Sequence, residues 1–261
     1  MGEKIDRTGK EGVNNQGSKM IISVYNSAKN ITVYFPEHDY SVQSTYLNFK
    51  RGSIKSPYDR TIYNMGYLGE GDYTPTAIIE GENKHTQQYI SWRHILERAY
   101  SELYHERFPT YKESEVCKEW LNFQNYAEWY DKNYYEVEGD FSCIDKDILY
   151  KGNKIYSPDK CIFVPNRINV LFTKSDAIRG DTPIGTTYDK KQGRYIAHCS
   201  IIVNNKKKVY RIGNYFTAEE AFFAYKQFKE NYIKQVADEY KDKIPQKLYD
   251  AMYRYEVEIT D

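Results

Sequence analysis

Apolar and polar residues alternate along the N-terminal part of the chain. Between Met20 and Phe35 the segments IISVY and ITVYF each show the period of two that is typical of half-buried strands. The polar residues 27–30 separate the two segments and predict a hairpin turn. Residues 1–18 are polar, so we predict a flexible leader there, followed by a small β module over residues 19–84.

The middle of the chain changes to the helical period. From about residue 88 to residue 103, apolar residues recur every three or four positions, which predicts an amphipathic helix. Four aromatic residues then follow one another at intervals of three, as they would on one helix face: Trp120, Phe123, Tyr126 and Trp129. These patterns predict a helical segment whose aromatic side chains pack in a core.

Residues 143–169 read CIDKDILYKGNKIYSPDKCIFVPNRIN and combine strand, turn and helix signals in one short stretch. The isoleucines at 144, 148 and 155 space two short strands around a turn at Gly152. Pro158 is expected to open a helix, since proline is favoured in the first helical turn. The stretch therefore predicts a strand, a strand and a helix in that order.

The C-terminal part of the chain predicts a sheet followed by helices. Three strand-like segments lie between residues 182 and 215, and residues 190–193 form a turn between the first two. Thr217 and Glu220 have the T-x-x-E spacing of a helix capping box. A further amphipathic helix is expected over residues 244–255. The fold class is therefore α+β, with a small N-terminal β module, a central helical lead-in to the strand–strand–helix motif, and a C-terminal three-stranded sheet with a packed helix.

Composition limits the class of protein. The chain has 261 residues, of which 40% are hydrophobic and 28% charged, as in globular domains. No apolar run approaches the roughly 20 residues of a membrane span, and the N-terminus lacks the apolar core of a signal peptide. The four cysteines are far apart and form no CxxC pair, which argues against a zinc ribbon and is consistent with a reduced, cytoplasmic chain.

Charge is distributed unevenly along the sequence. The 37 basic and 37 acidic residues give a net charge of zero. Residues 180–215 nevertheless carry seven basic and two acidic residues, whereas residues 216–261 carry seven basic and ten acidic ones. Positive charge concentrated on one segment is expected of a surface that faces DNA, although a solvated face would show the same pattern.

The stretch at residues 143–169 resembles the HNH (ββα-metal) nucleases, and the aromatic lead-in before it resembles the one found in phage members. The resemblance implies an endonuclease that uses one divalent ion, Mg²⁺ or Mn²⁺, held by the oxygens of Asp145 and Asn169. Lys146 stands where the family usually has its histidine base and would serve as a phosphate clamp. Tyr156 on the second strand and Asp147 are the alternative catalytic bases, and Asn153 is expected to brace the turn.

Residues 182–225 resemble the DNA-binding domain of the ethylene-response-factor (AP-two/ERF) type, whose sheet enters the major groove. Thr187 stands in place of the family's arginine, and Tyr195 in place of its tryptophan. The resemblance assigns the following positions to the DNA-facing strands: Thr187, Arg194, Tyr195, His198 and Ser200. The lysines expected to contact phosphates are Lys190, Lys191, Lys206, Lys207 and Lys208.

Together these observations predict an HNH-like nuclease domain over residues 85–178, with its ββα core at 141–175, and a DNA-binding domain over 179–261. The expected partner is double-stranded DNA and not a membrane, in a phage or bacterial cytoplasm. One ββα centre cuts one strand, so a double-strand cut requires a homodimer or two successive events. The alternative is a sequence-specific DNA-binding protein whose ββα unit has lost catalysis. For residues 19–84, an accessory DNA contact and a scaffold remain open.

Overall fold

The computed structural model describes residues 6–173, 181–203 and 206–259, and this part of the chain is α+β, as predicted. The chain divides into two units. Unit 1 consists of Met1–Lys132 with Lys154–Pro158, and unit 2 consists of Asn133–Asn153 with Asp159–Asp261. This division differs from the boundary expected near residue 178, because the helical lead-in belongs to unit 1 and the ββα core belongs mainly to unit 2.

Unit 1 begins with a four-stranded antiparallel sheet in the order β1-β2-β3-β4. The strands are β1 (Glu11–Val13), β2 (Lys19–Ser27), β3 (Asn30–Phe35) and β4 (Tyr40–Ser44), and the short helix α1 (Tyr46–Lys50) follows. The predicted hairpin is confirmed by the pairing of β2 with β3. The prediction of a flexible leader is wrong for residues 6–18, because β1 pairs with β2 and adds an edge strand to the sheet. Residues 1–5 lie outside the described residues.

One face of this sheet forms a small hydrophobic core, because alternate residues of the strands point to the same side. Phe49 of α1 and Ile54 close this core. The strand residues that fill it are Met20, Ile22, Ile31, Val33 and Phe35.

A buried carboxylate ties the loop after α1 to the sheet. Asp59 is 4% exposed and accepts hydrogen bonds from Asn14 Nδ2 (2.9 Å), Ser18 Oγ (2.6 Å) and the backbone N–H of Ser56 (2.8 Å). A buried charge is tolerated only when such donors replace its hydration. The Asp59 network therefore fixes the path of the chain from α1 onwards.

The rest of unit 1 is mainly helical. A hairpin of β5 (Thr76–Ile79) and β6 (Glu82–His85) precedes α2 (Gln87–Tyr100), α3 (Glu102–Arg107), β7 (Glu115–Val116) and α4 (Phe123–Asn133). The helix predicted over residues 88–103 ends at Tyr100, because the Ser101 side chain caps a second helix, and Leu103 is exposed on it. The four aromatic residues of the lead-in are buried, but Trp120 lies on a 3₁₀ turn that precedes α4.

The ββα motif is assembled from other segments than the sequence pattern suggests. The strand β8 (Ser142–Asp145) pairs antiparallel with β10 (Ile162–Pro165), and α5 (Asn166–Asn169) follows directly. The expected second strand, β9 (Ile155–Tyr156), pairs instead in parallel with β7 in unit 1. The helix predicted at Pro158 was also wrong, since residues 158–160 form a turn and α5 begins after Pro165.

The C-terminal sheet has the predicted topology. The strands β11 (Thr186–Asp189), β12 (Arg194–Val203) and β13 (Lys206–Tyr215) form an antiparallel sheet in that order. The helix α6 (Ala218–Tyr240) starts with the expected capping box of Thr217 and Glu220, and α7 (Gln246–Arg254) follows Pro245. As predicted, five residues of α6 pack on the sheet side of the helix. Ala221, Phe222 and Tyr225 are buried, and Ala224 and Phe228 are partly buried.

Within unit 2, α6 belongs to two hydrophobic clusters. Its first half packs against the sheet, where Ala221 and Phe222 meet Ala197 and Cys199. Its second half packs with the ββα motif and α7 in a cluster that contains Ile233, Val236, Ala237, Ile162, Val164, Ile168 and Leu248. The sheet and the ββα motif are therefore both held by one continuous helix.

The Asp59 network gives a prediction for unit 1. Asp59→Ala should lower the free energy of unfolding by about 2–4 kcal/mol, because three buried hydrogen bonds lose their acceptor. Urea unfolding followed by tryptophan fluorescence is a suitable measurement, since Trp92, Trp120 and Trp129 all lie in unit 1.

The exposed Asp72→Ala is the matched control and should change stability by less than about 0.5 kcal/mol. Equal stability of the two variants would show that the network does not stabilise the unit.

Candidate functional site

Asp145 ends the strand β8 and shapes the chain that follows it. Its Oδ1 accepts hydrogen bonds from the backbone N–H groups of Asp147 (2.8 Å) and Ile148 (2.7 Å), which is the geometry of an Asx turn. Burial raises the pKa of this carboxyl, and the two backbone donors partly oppose that shift. Among the described residues, Oδ2 of Asp145 takes part in no hydrogen bond. A half-buried carboxylate with one uncommitted oxygen is suited to binding a cation.

The loop after Asp145 is closed by Lys146 and Asn153. Lys146 Nζ donates to the backbone oxygen of Asn153 (2.8 Å), and Asn153 Nδ2 donates to the backbone oxygen of Lys146 (2.8 Å). Gly152 has φ +79°, a conformation that glycine adopts without strain. Asn153 therefore holds the turn, in the bracing position expected of it.

Lys146 differs in placement from a solvent-facing phosphate clamp. It is 7% exposed, and its Nζ forms an ion pair with Asp147 Oδ2 at 2.7 Å. The Asp147 side chain is 51% exposed, so its carboxylate reaches solvent although it is paired. These contacts make Lys146 a positioning group for the loop. The same contacts leave Asp147 as the accessible carboxylate next to Asp145.

Asn169 is the last residue of α5 and is half-buried. The start of α5 is fixed by the N–H of Asn166, which donates to Phe141 O (2.8 Å), and by the N–H of Arg167, which donates to Asp140 Oδ2 (3.1 Å). The helix packs against β8 and β10, so Asp145 and Asn169 belong to one ββα unit. The convergence of their side-chain oxygens stays a prediction.

The donors of this unit fit a hard cation. Among residues 6–173, 181–203 and 206–259, no group of three or more His, Cys, Asp or Glu side chains is arranged to hold a metal. Asp145 and Asn169 offer one carboxylate and one amide oxygen, and the structure shows no hydrogen bond from the Asn169 side chain within the described residues. Mg²⁺ keeps several waters and commonly takes only one or two protein oxygens, so a small donor set of this kind suits it better than Zn²⁺.

Tyr156 lies outside the β8–β10 hairpin. It is 1% exposed on β9, where the N–H of Cys117 donates to its backbone oxygen (2.9 Å), and it belongs to unit 1. Its side chain hydrogen-bonds with Arg98 of α2. The predicted set of catalytic residues is therefore divided between the two units.

Arg98 is a candidate that the sequence reasoning missed. Burial alone would lower its pKa, but the neighbouring Tyr156 and Tyr111 more than offset burial, so the pKa of Arg98 is raised and the guanidinium stays charged. Its Cζ lies 5.9 Å from the Tyr111 ring centroid. The sequence signal that could have identified Arg98 is its position between Leu96 and Ala99, which are buried on an amphipathic helix. A charge at such a position needs a specific partner.

The two faces of the C-terminal sheet separate the predicted DNA-facing residues. On β12, Ala197 and Cys199 face the hydrophobic cluster beneath α6, and the period of two places Tyr195 with them. The prediction that Tyr195 belongs to the DNA-facing side is therefore wrong, because the alternation of side chains along β12 places it on the inner face. The residues that share the outer face of β11 and β12 are Thr187, Arg194, His198 and Ser200.

The pairing of β13 with β12 also divides the lysine run. Lys207 pairs with Ile202 on the outer face, whereas Lys208 pairs with Ile201, which packs towards the core. Lys206 pairs with Val203, two positions from Ile201, and so follows the same inner register as Lys208. All three lysines are exposed and lie on both faces of the strand, and their contact with phosphates stays a prediction.

The outer face carries further basic groups. Arg211 pairs with His198 across the strands, and its side chain donates to Asn214 Oδ1. Arg194 lies over the Phe216 ring, with its Cζ 3.2 Å from the centroid. Lys190 and Lys191 are exposed in the β11–β12 turn, where Asp189 Oδ1 accepts the Lys191 N–H (2.9 Å). Cations held on one side of an accessible sheet form a surface of the kind that contacts phosphates.

Comparison of the chain with family models, with curated proteins and with solved structures finds no match. In the described part of the chain, none of the helices combines the length and apolar character needed to cross a bilayer. The assignment of a function therefore depends on the geometry and chemistry of the residues themselves.

The geometry of this site predicts that the protein binds a metal ion and that binding depends on the charge of Asp145. Wild-type protein should bind one Mn²⁺ in electron paramagnetic resonance titrations, and Asp145→Asn should weaken binding at least about tenfold. Asparagine preserves the Oδ1 that accepts the two backbone N–H groups, so the turn is retained while the charge is lost.

Asp159→Asn is the matched control, because Asp159 is an exposed carboxylate of the same unit. Unchanged Mn²⁺ affinity in Asp145→Asn would remove Asp145 from the metal site.

Proposed function

We propose that the protein is a metal-dependent DNA endonuclease of HNH type that uses the outer face of the β11–β13 sheet to hold its substrate. The observation that carries this proposal is the arrangement within unit 2. A strand–strand–helix unit with oxygen donors on its first strand and its helix is packed on the same α6 as an exposed, basic three-stranded sheet.

The chain's residues have distinct tasks in phosphodiester hydrolysis. A bound Mg²⁺ would supply Lewis acidity to the scissile phosphate and neutralise charge on the leaving oxygen. Asp145 and Asn169 would hold it. Asp147, which is half-exposed beside Asp145, is positioned as a carboxylate that can accept a proton from the attacking water. Lys146 and Asn153 keep the loop in the conformation that presents these carboxylates.

Tyr156 remains the alternative acid–base group. The resemblance to HNH variants that lack the histidine motivates this role, and the side chain of Tyr156 forms a hydrogen bond with Arg98. The two candidates are separable by mutation, since Tyr156→Phe removes only a hydroxyl and Asp147→Asn only a charge.

A second candidate function is sequence-specific DNA binding without cleavage. The burial of Lys146 favours it, because the position that usually carries the histidine base is occupied by an ammonium group already bonded to Asp147 and Asn153. Such a group cannot act as a general base. A protein of this kind would bind DNA equally well with and without Mg²⁺ and would leave it intact.

Cleavage of supercoiled plasmid or phage DNA, measured with Mg²⁺ and with EDTA, distinguishes the two functions. We expect nicking only with metal, and a loss of at least about 10³ in single-turnover rate in Asp145→Asn. Loss of the acid–base group, by either Tyr156→Phe or Asp147→Asn, should lower the single-turnover rate by about 10²–10⁴.

DNA binding should be retained in these three variants, because each changes a metal ligand or an acid–base group and leaves the DNA-contacting sheet unchanged. Full cleavage by Asp145→Asn would contradict the nuclease proposal, and intact DNA with wild-type protein would favour the second candidate.

The two faces of the sheet give a matched pair of variants for DNA binding. Lys207→Gln should lower the affinity for duplex DNA and reduce the slope of log K against log salt by about 0.9, the value expected for one lost phosphate contact. Lys208→Gln alters the neighbouring residue on the opposite face and should change the slope much less. Fluorescence anisotropy in EDTA measures both, and equal slopes for the two variants would contradict binding through the outer face.

A further inference from the structure

Two cations without an acidic partner among the described residues contact two tyrosines in the N-terminal module. Arg7 lies with its Cζ 4.3 Å from the ring centroid of Tyr46, and its Nη1 donates to the hydroxyl of Tyr25 at 3.2 Å. Lys10 Nζ donates to the Tyr46 hydroxyl at 2.9 Å. The two side chains thus meet at one ring from neighbouring positions in the chain.

The backbone holds these two cations in place. Residues 7–10 form a turn in which the N–H of Lys10 donates to Arg7 O (3.2 Å), and Gly9 adopts φ +82°. The N–H of Gly9 donates to Ile22 O (2.8 Å), and the N–H of Ile22 donates to Lys10 O (2.9 Å). The turn is therefore bonded to the central strand β2, which fixes the backbone that carries both cations.

Two further cations lie on the helix that carries Tyr46 and in the turn bonded to its first residue. Lys50 follows Tyr46 by four residues on α1, which places the two side chains on one side of the helix. The N–H of Tyr46 donates to Ala28 O (2.9 Å), so the β2–β3 turn with the exposed Lys29 lies at the start of the same helix. We call Arg7, Lys10, Lys29 and Lys50, with Tyr25 and Tyr46, the Arg7 cluster.

The acidic residues of this region are already engaged. Glu11 pairs with Lys19 at 2.8 Å, and Asp6 accepts hydrogen bonds from the N–H and the hydroxyl of Thr8. Within the described chain, no carboxylate lies within ion-pair distance of the four cations. Lys10 and Arg7 also lower the pKa of the Tyr46 hydroxyl. Like charges held at one ring repel each other, and an anion bound between them would relieve that repulsion.

We propose that the Arg7 cluster binds the phosphodiester backbone of duplex DNA and forms a contact separate from the β11–β13 sheet. Lysine and arginine charges supply the affinity for phosphate, and the tyrosine hydroxyls are additional donors to phosphate oxygens. The choice of DNA as the polymer rests on the proposed function, whereas the anion-binding chemistry rests on the cluster alone. This assignment gives the N-terminal module a role in holding the substrate.

The test measures binding of the full-length protein to a fluorescent duplex of random sequence in EDTA, at several salt concentrations. The variant Arg7→Gln with Lys10→Gln should bind roughly 10- to 100-fold more weakly, and its salt slope should fall by about two. The charge-conserving variant Arg7→Lys with Lys10→Arg should keep the slope. Lys19→Gln is the matched control, since this lysine of the same sheet is already paired with Glu11, and its slope should stay the same.

The expected results separate this proposal from the nuclease proposal. An unchanged slope in the double variant, together with a reduced slope in Lys207→Gln, would overturn the Arg7 cluster as a DNA site and leave the sheet as the contact. Absence of duplex binding by wild-type protein would contradict both proposals. If the double variant lost the binding to phosphatidylglycerol vesicles that wild-type protein shows, while its salt slope for DNA stayed unchanged, DNA would be overturned as the partner and the cluster assigned to a lipid surface.

A second variant guards against loss of folding. Tyr46→Phe keeps the ring beneath Arg7 and removes only the hydroxyl to which Lys10 donates. It should weaken DNA binding less than the double variant does, while thermal unfolding followed by circular dichroism shows whether each variant stays folded. Wild-type affinity and slope in both variants would reject the proposal.

Discussion

The packing of α6 on two cores is the constraint on which unit 2 depends. A helix of 23 residues extends roughly 35 Å, long enough for its first half to support a sheet and its second half to support the ββα motif. Because α6 is continuous, with buried residues from Ala221 to Tyr240, the sheet and the ββα motif cannot move independently without breaking one of the two clusters. The basic outer face of the sheet and the unit that carries the oxygen donors thus have a fixed spatial relation, which the proposed nuclease would need in order to cut at a set distance from its contact surface.

The loop between Asp145 and Asn153 shows how a ββα unit without histidines can still be well ordered. The Asx turn of Asp145 and the reciprocal bonds of Lys146 and Asn153 satisfy the polar groups of a segment that has no regular secondary structure. Burial of Lys146 is compensated by Asp147 and by the backbone oxygen of Asn153, so its charge stabilises the loop instead of remaining available to a ligand. The half-buried carboxylate of Asp145 and the exposed carboxylate of Asp147 are then both presented by a closed loop.

How much could be predicted from the sequence depended on whether a segment is half-buried or buried on all sides. The C-terminal sheet, its capped helix and the β2–β3 hairpin were predictable, because one face of each meets solvent and the sequence alternates accordingly. Strand β10 was missed because all four of its residues are buried, and a uniformly apolar run does not distinguish a strand from part of a helix. The partner of β9 and the role of Arg98 depend on contacts distant in sequence, which local patterns do not contain.

The net charge of zero does not oppose binding to DNA, because charges in this chain are neutralised locally. On α6, Glu239 pairs with Arg167, and Asp238 accepts hydrogen bonds from Tyr249 and Tyr253, which lower the pKa of its carboxyl. These acidic groups have partners of their own and lie on elements away from the outer face of the sheet. Lys207 and the basic residues of the Arg7 cluster have no such carboxylate partner among the described residues. Salt-dependent binding reflects the phosphates that a surface can contact and the counterions they release, so the placement of unpaired cations matters more than their total.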